Sequence, residues 1–345
     1  MPTIEWGKLA VLVWKQKWEG ILGIAGVVAS VVAGVPPWLG IPLLLLAFLL
    51  LVDLAMTTRL AVRLVREKQV PIVVIVGKDD DEFYKMMGEV WATTASAGCS
   101  EDVVSGQWKL DREDYVIRRD SILPRQSRPW KDLVRQFASK IARLGRRLPG
   151  RHVFHIFLNC PSALAIGLGA RMGSLAEVVC YHYQPGVRYV PVIDFSRARG
   201  GNPQPVRAVK RRITQPYQFI CVEQVGTLTQ EVFVSLRLSG HDPKGAVNLI
   251  APQHAARIRI RNTYDNVLST DAHWLRVEQE VVTVLTELLG GGIRRLHLFL
   301  SVPVVLAFAI GMALGIHSPI TVYHWFGDKQ EYRPVLELER LGELR

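Results

Sequence analysis

Two long apolar stretches open the chain, and beyond them short apolar strands alternate with amphipathic helices. Residues 18–35 run WEGILGIAGVVASVVAGV, with Glu19 at the edge as the sole charge, and residues 39–56 run LGIPLLLLAFLLLVDLAM. Each has about 18 residues, or about 27 Å as helix, enough to cross a hydrocarbon core. Pro36-Pro37 stops the first helix, and the short connection returns the second antiparallel. Lys8, Lys15 and Lys17 precede the first span and Arg59, Arg63, Arg66 and Lys68 follow the second, while the tip has no Lys or Arg. Both flanks are therefore expected to be cytosolic, with Trp14, Trp18 and Trp38 as an aromatic belt. Gly26, Ser30 and Gly34 form a ridge of small residues that lets helix backbones approach, within the hairpin or between protomers. Asp53 reads as a carboxylate reaching the headgroup layer to meet Lys15, Lys17 or Arg59, or else as a pore group.

The soluble part repeats itself. Residues 155–183 (HIFLNCPSALAIGLGARMGSLAEVVCYHY) match residues 297–325 (HLFLSVPVVLAFAIGMALGIHSPITVYHW) without a gap. His155/His297, Phe157/Phe299, Leu158/Leu300, Pro161/Pro303, Leu164/Leu306 and Ala165/Ala307 coincide, as do Gly169/Gly311, Gly173/Gly315, Tyr181/Tyr323 and His182/His324. After one extra residue, Tyr189-Val190-Pro191-Val192 answers Tyr332-Arg333-Pro334-Val335. Upstream, Trp130, Leu133, Val134, Phe137 and Ile141 stand at helical spacing, and so do Trp274, Val277, Val281, Leu285 and Leu288. Strands at 115–117 and 257–260 precede these helices, and strands at 71–76 and 231–239 come earlier still. Residues 82–90 predict one more helix, entered through the acidic run Asp79-Asp80-Asp81-Glu82. Two copies of strand, loop, strand, helix, strand, turn, helix, strand, hairpin, strand predict an α/β fold.

The segment 196–216 (SRARGGNPQPVRAVKRRITQP) is basic, broken by Gly and Pro, and suits an exposed connector. The chain thus divides into a two-helix membrane region (1–66), a first unit (67–198), a linker (199–216) and a second unit (217–345). Residues 302–316 imitate a third membrane span, but their twin, 160–174, contains Arg171. Both are predicted to be strand–turn–helix buried against a sheet, leaving two spans.

Charge narrows the partners. The 345 residues are 49% hydrophobic and carry a net charge of +11, with a pI near 9.7, so phosphates, nucleic acid or anionic lipid are the natural partners. Cys99, Cys160, Cys180 and Cys221 show no C-x-x-C spacing, which disfavours zinc and fits reduced thiols.

Ligands of open α/β sheets sit past the carboxyl ends of parallel strands. That rule selects three pairs of loops. Gly77, Lys78 and Asp79 stand opposite Gly240, His241, Asp242 and Lys244, where glycine admits a close ligand and lysine neutralises phosphate. Asn159-Cys160-Pro161-Ser162 answer Ser301-Val302-Pro303, each with proline near a helix start and free amides aimed outward. Tyr183 and Trp325 end matching strands and can stack on a base. Plainer roles compete: the prolines as turn formers, the aromatics as packing, and the matched histidines as structural groups. The acidic run suits a helix cap better than Mg²⁺. His241-Asp242 lacks the second ligand set of a phosphohydrolase. With neither a P-loop nor a G-x-S-x-G elbow, no catalytic residue, metal or cofactor is expected.

The tract LHLFLSVPVVLAFAIGMALG…ITVYHWFGDKQEYRPVLEL resembles the C-terminal signature of SAVED domains, fused pairs of CARF-like units found in bacterial anti-phage defence. The resemblance covers residues 70–340 and is most specific over 294–338. With two membrane helices in front, the whole chain resembles a transmembrane SAVED effector of a cyclic-oligonucleotide (CBASS) system. The resemblance implies two Rossmann-like CARF units that bind a cyclic oligonucleotide, expected to be a cyclic trinucleotide, made by a partner nucleotidyltransferase. It also implies head-to-tail association of ligand-bound domains; no DNA or RNA substrate is expected. The expected outcome is disruption of the cell inner membrane by clustered hairpins. A membrane-tethered hydrolase of the same ligand and an anchor that recruits a partner protein are the rival readings.

Overall fold

The computed structural model describes residues 68–184, 188–196, 211–263 and 271–343, together with Leu49 and Val52 as isolated helical positions. The two expected spans, the Gly26/Ser30/Gly34 ridge, Asp53 and most of the linker lie outside the described residues. Among the described residues, no helix is long and apolar enough to cross a membrane.

The first half has strands β1 (Lys68–Val76), β2 (Val116–Arg119), β3 (His152–Asn159), β4 (Val178–Gln184) and β5 (Arg188–Asp194), arranged β2-β1-β3-β4-β5. Its helices are α1 (Asp80–Thr94), α2 (Arg112–Tyr115), α3 (Ser127–Arg147) and α4 (Ser162–Met172). The second half has β6 (Ile220–Val225), β7 (Glu231–Arg237), β8 (Ala256–Asn262), β9 (Arg295–Ser301), β10 (Ile320–Phe326) and β11 (Glu331–Glu337). Between these strands lie α5 (Lys244–Ile250), α6 (Asp271–Gly290) and α7 (Val304–Leu314), and the sheet order is β11-β10-β9-β7-β8-β6.

The two orders superimpose strand for strand except for β6, an antiparallel edge that pairs β8. Parallel pairing of β1 with β2, β3 with β4, β7 with both β8 and β9, and β9 with β10 confirms the α/β reading. In each half the last strand turns back antiparallel. From Val70 to Val76, β1 is buried on both faces, as a central parallel strand requires. Several elements run longer than expected, such as α1 and β1, and two fall short. Tyr115 closes α2 rather than opening a strand, and β7 stops at Arg237, short of Ser239.

The halves meet through α4 and α7. Ala163–Ala170 of α4 and Val305–Leu314 of α7 are buried on every side, which is why 302–316 is apolar throughout. The matched glycines stand at the crossing. A Cβ on Gly169 would lie 1.9 Å from the Phe308 carbonyl oxygen, and one on Gly311 would lie 2.2 Å from that of Ile166.

A second exchange reinforces the first. Trp130 on α3 of the first half packs on His324 of β10, with ring centroids 4.9 Å apart, and Trp274 on α6 of the second packs on His182 of β4, also at 4.9 Å. Burial lowers the pKa of both histidines, that of His324 to about 4 with help from His241, so they stay neutral. His155 is likewise structural, hydrogen-bonded with the Tyr181 hydroxyl at 2.7 Å and Gln69 Oε1 at 2.7 Å. Its twin His297 meets Tyr323 at 3.1 Å. The acidic run caps α1: Asp79 Oδ1 accepts the Glu82 N–H at 2.9 Å.

Two buried carboxyls on α6 behave oppositely. Glu280 accepts backbone N–H groups of Gln218, Phe219 and Ile220 at 3.0, 2.9 and 3.2 Å and pairs with Arg276 at 2.9 Å, which fixes the entry to β6. Glu278 has no hydrogen-bond partner for either oxygen, and burial raises its pKa well above 4.5. The folded state thus keeps a proton that the unfolded chain loses above that value. Stability falls with rising pH from there up to the raised folded value, at about 1.4 kcal/mol per pH unit. Glu278→Gln is therefore expected to melt higher than the parent at pH 8, with the difference shrinking towards pH 4. Thermal melts in detergent across that range check it.

Candidate functional site

A cleft of about 280 Å³ opens at the carboxyl ends of the second half's central strands. Cys160, Pro161, Ser162 and Ala163 enter it from the start of α4 in the first half. The second half supplies Ser239 and His241 after β7, Leu300, Ser301 and Val302 at the end of β9, and Tyr323, His324 and Trp325 of β10. The site is composite, so an occupant touches both halves.

The proline before each helix has extended ψ, near 140° at Pro161 and 135° at Pro303, so the chain turns sharply from strand into helix. Ser162 Oγ then donates to the Val302 carbonyl at 2.7 Å and ties the halves at the cleft. The repeat puts Val304 where the first half has Ser162, so this bond has no mirror image. Gly240, at φ +59°, folds the loop over Ser301, where a Cβ would lie 3.2 Å from the serine oxygen. Ser301 Oγ in turn donates to the Ser239 carbonyl.

Tyr332 donates its hydroxyl proton to the Leu300 carbonyl at 3.1 Å, and the same oxygen lies 2.5 Å from His241 Nε2. Nε2 is then the donor, which leaves Nδ1 as an acceptor. Burial lowers the pKa of His241, which favours this neutral form. Trp325 lies against the rings of His241 at 5.2 Å and Tyr332 at 5.3 Å, giving the cleft an aromatic wall.

Asp242 is engaged outside the cleft. Burial pushes its carboxyl up, but the Lys244 amide at 3.0 Å and Arg259 at 2.5 Å outweigh that and hold its pKa low. Among the described residues no cluster of three or more metal-ligating side chains occurs. Burial also pushes the Cys160 thiol up, away from the thiolate a nucleophile requires. Stacking, hydroxyl hydrogen bonds and a helix start are the chemistry present, and they suit the binding of a base and a phosphate.

Of the sequence-derived candidates, Ser162, His241, Ser301 and Trp325 line this cleft together. Gly240 supports it, Asn159 ends β3 one residue before it, and Lys244 opens α5 beside Asp242. The others, Gly77, Lys78 and Tyr183, belong to the first half and do not line it. Gly77 follows β1 next to Ile122, Lys78 pairs with Glu82 at 2.8 Å, and Tyr183 packs on Tyr189 at 5.4 Å. Sequence reasoning missed Tyr332 as the partner of His241, although its match with Tyr189 was visible. It also missed Arg259, one of three alternating arginines in the RIRIRN run of β8.

The family model for SAVED, the SMODS-associated and fused to various effectors sensor domain, matches residues 120–195 and 201–338. Among solved structures, the chain is similar to the Acinetobacter baumannii Cap4 SAVED/CARF-domain containing receptor with the cyclic trinucleotide 2'3'3'-cAAA. That likeness has 13% identity, 85% of this chain, 56% of that chain and a TM-score of 0.49. The same receptor with 3'3'3'-cAAA gives 13%, 85%, 56% and 0.48. The Moraxella osloensis Cap4 receptor gives 17%, 62%, 43% and 0.40. The chain thus spans little more than half the length of the first of these receptors. No curated protein matches it.

Proposed function

The chain belongs to the SAVED family of sensor domains, and we propose that it is a receptor for a cyclic oligonucleotide whose occupancy drives a membrane hairpin to breach the inner membrane. The observation that carries this reading is the composite cleft, where Ser162 of one half faces His241, Ser301 and Trp325 of the other. A base stacked on Trp325 gains about 1–3 kcal/mol, and the net charge of +11 complements a ring of phosphates. The Cap4 receptors' cyclic trinucleotides supply the first probes, and a cyclic trinucleotide is the proposed ligand of this chain.

The effector part rests on the apolar stretches 18–35 and 39–56. Ligand-bound receptors assemble side by side, and the assembly concentrates hairpins whose Gly26/Ser30/Gly34 ridges interact weakly alone. The ligand is bound and released intact, and the consequence is abortive anti-phage defence from the inner membrane. Full-length chain in dye-loaded liposomes tests this with cyclic di-, tri- and tetranucleotides. Leakage is expected with one class of ring, which chromatography then recovers unchanged. Equal leakage with and without every ring contradicts the proposal, and recovery of opened ring would establish the hydrolase instead.

A further inference from the structure

The cleft is too small for the whole ligand proposed above. Its volume of about 280 Å³ falls just below the roughly 300–1,000 Å³ that encloses a drug-sized molecule, so it takes about one nucleotide unit of a ring. The remaining phosphates must lie on the rim, and the rim is not symmetric.

One row of side chains crosses the carboxyl ends of the second sheet on the α5-covered face. Ser301 of β9 is in register with Arg237 of β7, and Arg237 with Arg261 of β8. Trp325 follows Tyr323 by two residues as Ser301 follows Phe299, and Tyr323 and Phe299 are in register. All four therefore point to the same side of the sheet. In the first sheet the corresponding last pair is Val76 and Arg119, so no arginine stands in the place of Arg237.

The charges of this face form a ladder. Arg237 lies 3.8 Å from Asp242, Asp242 lies 2.5 Å from Arg259, Arg259 lies 3.2 Å from Glu223, and Glu223 lies 3.1 Å from Arg261. Three guanidinium groups thus share two carboxylates. The middle one, Arg259, is 21% exposed and bridges both acids, whereas the end members Arg237 and Arg261 are 42% and 40% exposed. Arg237 meets its acid only beyond hydrogen-bond distance. The excess positive charge sits at the two ends of the ladder, with Arg237 next to Ser301 of the cleft and Arg261 one strand further out.

We infer that Arg237 and Arg261 form a phosphate-binding rim continuous with the cleft, so that the ring is seated off-centre over the second half. This inference rests on the cyclic-oligonucleotide reading. Stacking on Trp325 orients one base inside while the next phosphates along the ring run past Ser301 towards the two guanidinium groups. Glu223 competes with those phosphates for Arg261 and Arg259.

The test is fluorescence anisotropy of labelled cyclic triadenylate with full-length protein in detergent, over a series of salt concentrations. Arg237→Gln and Arg261→Gln should each weaken binding about 5- to 10-fold at low salt and reduce the slope of log affinity against log salt by about 0.7. Glu223→Gln should tighten binding, because it frees cationic charge, although it removes the same salt bridges that the arginine variants disturb. A merely structural ladder predicts weaker binding for all three variants. Unchanged affinity and slope in both arginine variants, with the parent still binding, overturns the rim and leaves the receptor standing. Failure of the parent to bind at any salt overturns both.

Discussion

Gly169→Ala and Gly311→Ala are each expected to destabilise the protein by about 3 kcal/mol or more, because the added methyl meets backbone rather than a movable side chain. At Gly169 the new carbon would stand 1.9 Å from the Phe308 carbonyl oxygen and 2.9 Å from the Met312 nitrogen. At Gly311 the figures are 2.2 Å from the Ile166 carbonyl oxygen and 3.0 Å from the Ala170 nitrogen. The helices must therefore separate, and the space between α4 and α7 is filled by buried side chains that lose their contacts when they do. For a folded part of this size the loss lowers the melting temperature by about 6–12 °C. Gly88 on α1 is the control. Nothing lies within 4 Å of a Cβ there, so Gly88→Ala should be neutral or stabilise by up to about 1 kcal/mol. Thermal melting of the three variants in detergent checks the contrast. Equal, small effects at all three positions would mean that the crossing is not close-packed.

Trp325→Ala should weaken cyclic oligonucleotide binding by about 1–3 kcal/mol, or roughly 5- to 150-fold in Kd. Two effects add. The base loses its stacking surface, and His241, whose ring packs on both Trp325 and Tyr332, loses one of these neighbours. Trp325→Phe keeps an aromatic face and should recover most of the affinity, which separates stacking from general packing. Tyr183→Ala is the informative comparison. Tyr183 is the repeat partner of Trp325, yet it does not line the cleft, so its removal should change affinity far less. Titration of all three variants with the same ring reads the difference.

That comparison also shows where the sequence speaks and where it stops. The two halves were legible because both copies bury the same positions: ten coinciding residues between 155–183 and 297–325 correspond to the same strand, helix and strand in each sheet. Periodicity reports which face of an element is buried but not what covers it. Hence Trp130 and Trp274 stood out as a matched pair, while their crossing onto His324 and His182 did not. The edge strand β6 escaped because ICVEQV mixes half-buried and exposed positions, as an edge with one neighbour does. Pseudo-symmetry also misled the site. It placed equal candidates on both loops, but the cleft is lined by residues that break the repeat, such as Ser162 against Val304 and Trp325 against Tyr183. Those differences look like noise in a self-alignment, and only the folded chain brings them to one place.

The account turns on one event: a single ring seated across both halves. Isothermal titration of the full-length protein in detergent with cyclic di- and trinucleotides measures it directly. The account predicts saturable binding of one ring per chain, lost or much weakened in Trp325→Ala and retained in Tyr183→Ala. No heat of binding from any ring, or equal binding by the parent and Trp325→Ala, would contradict it.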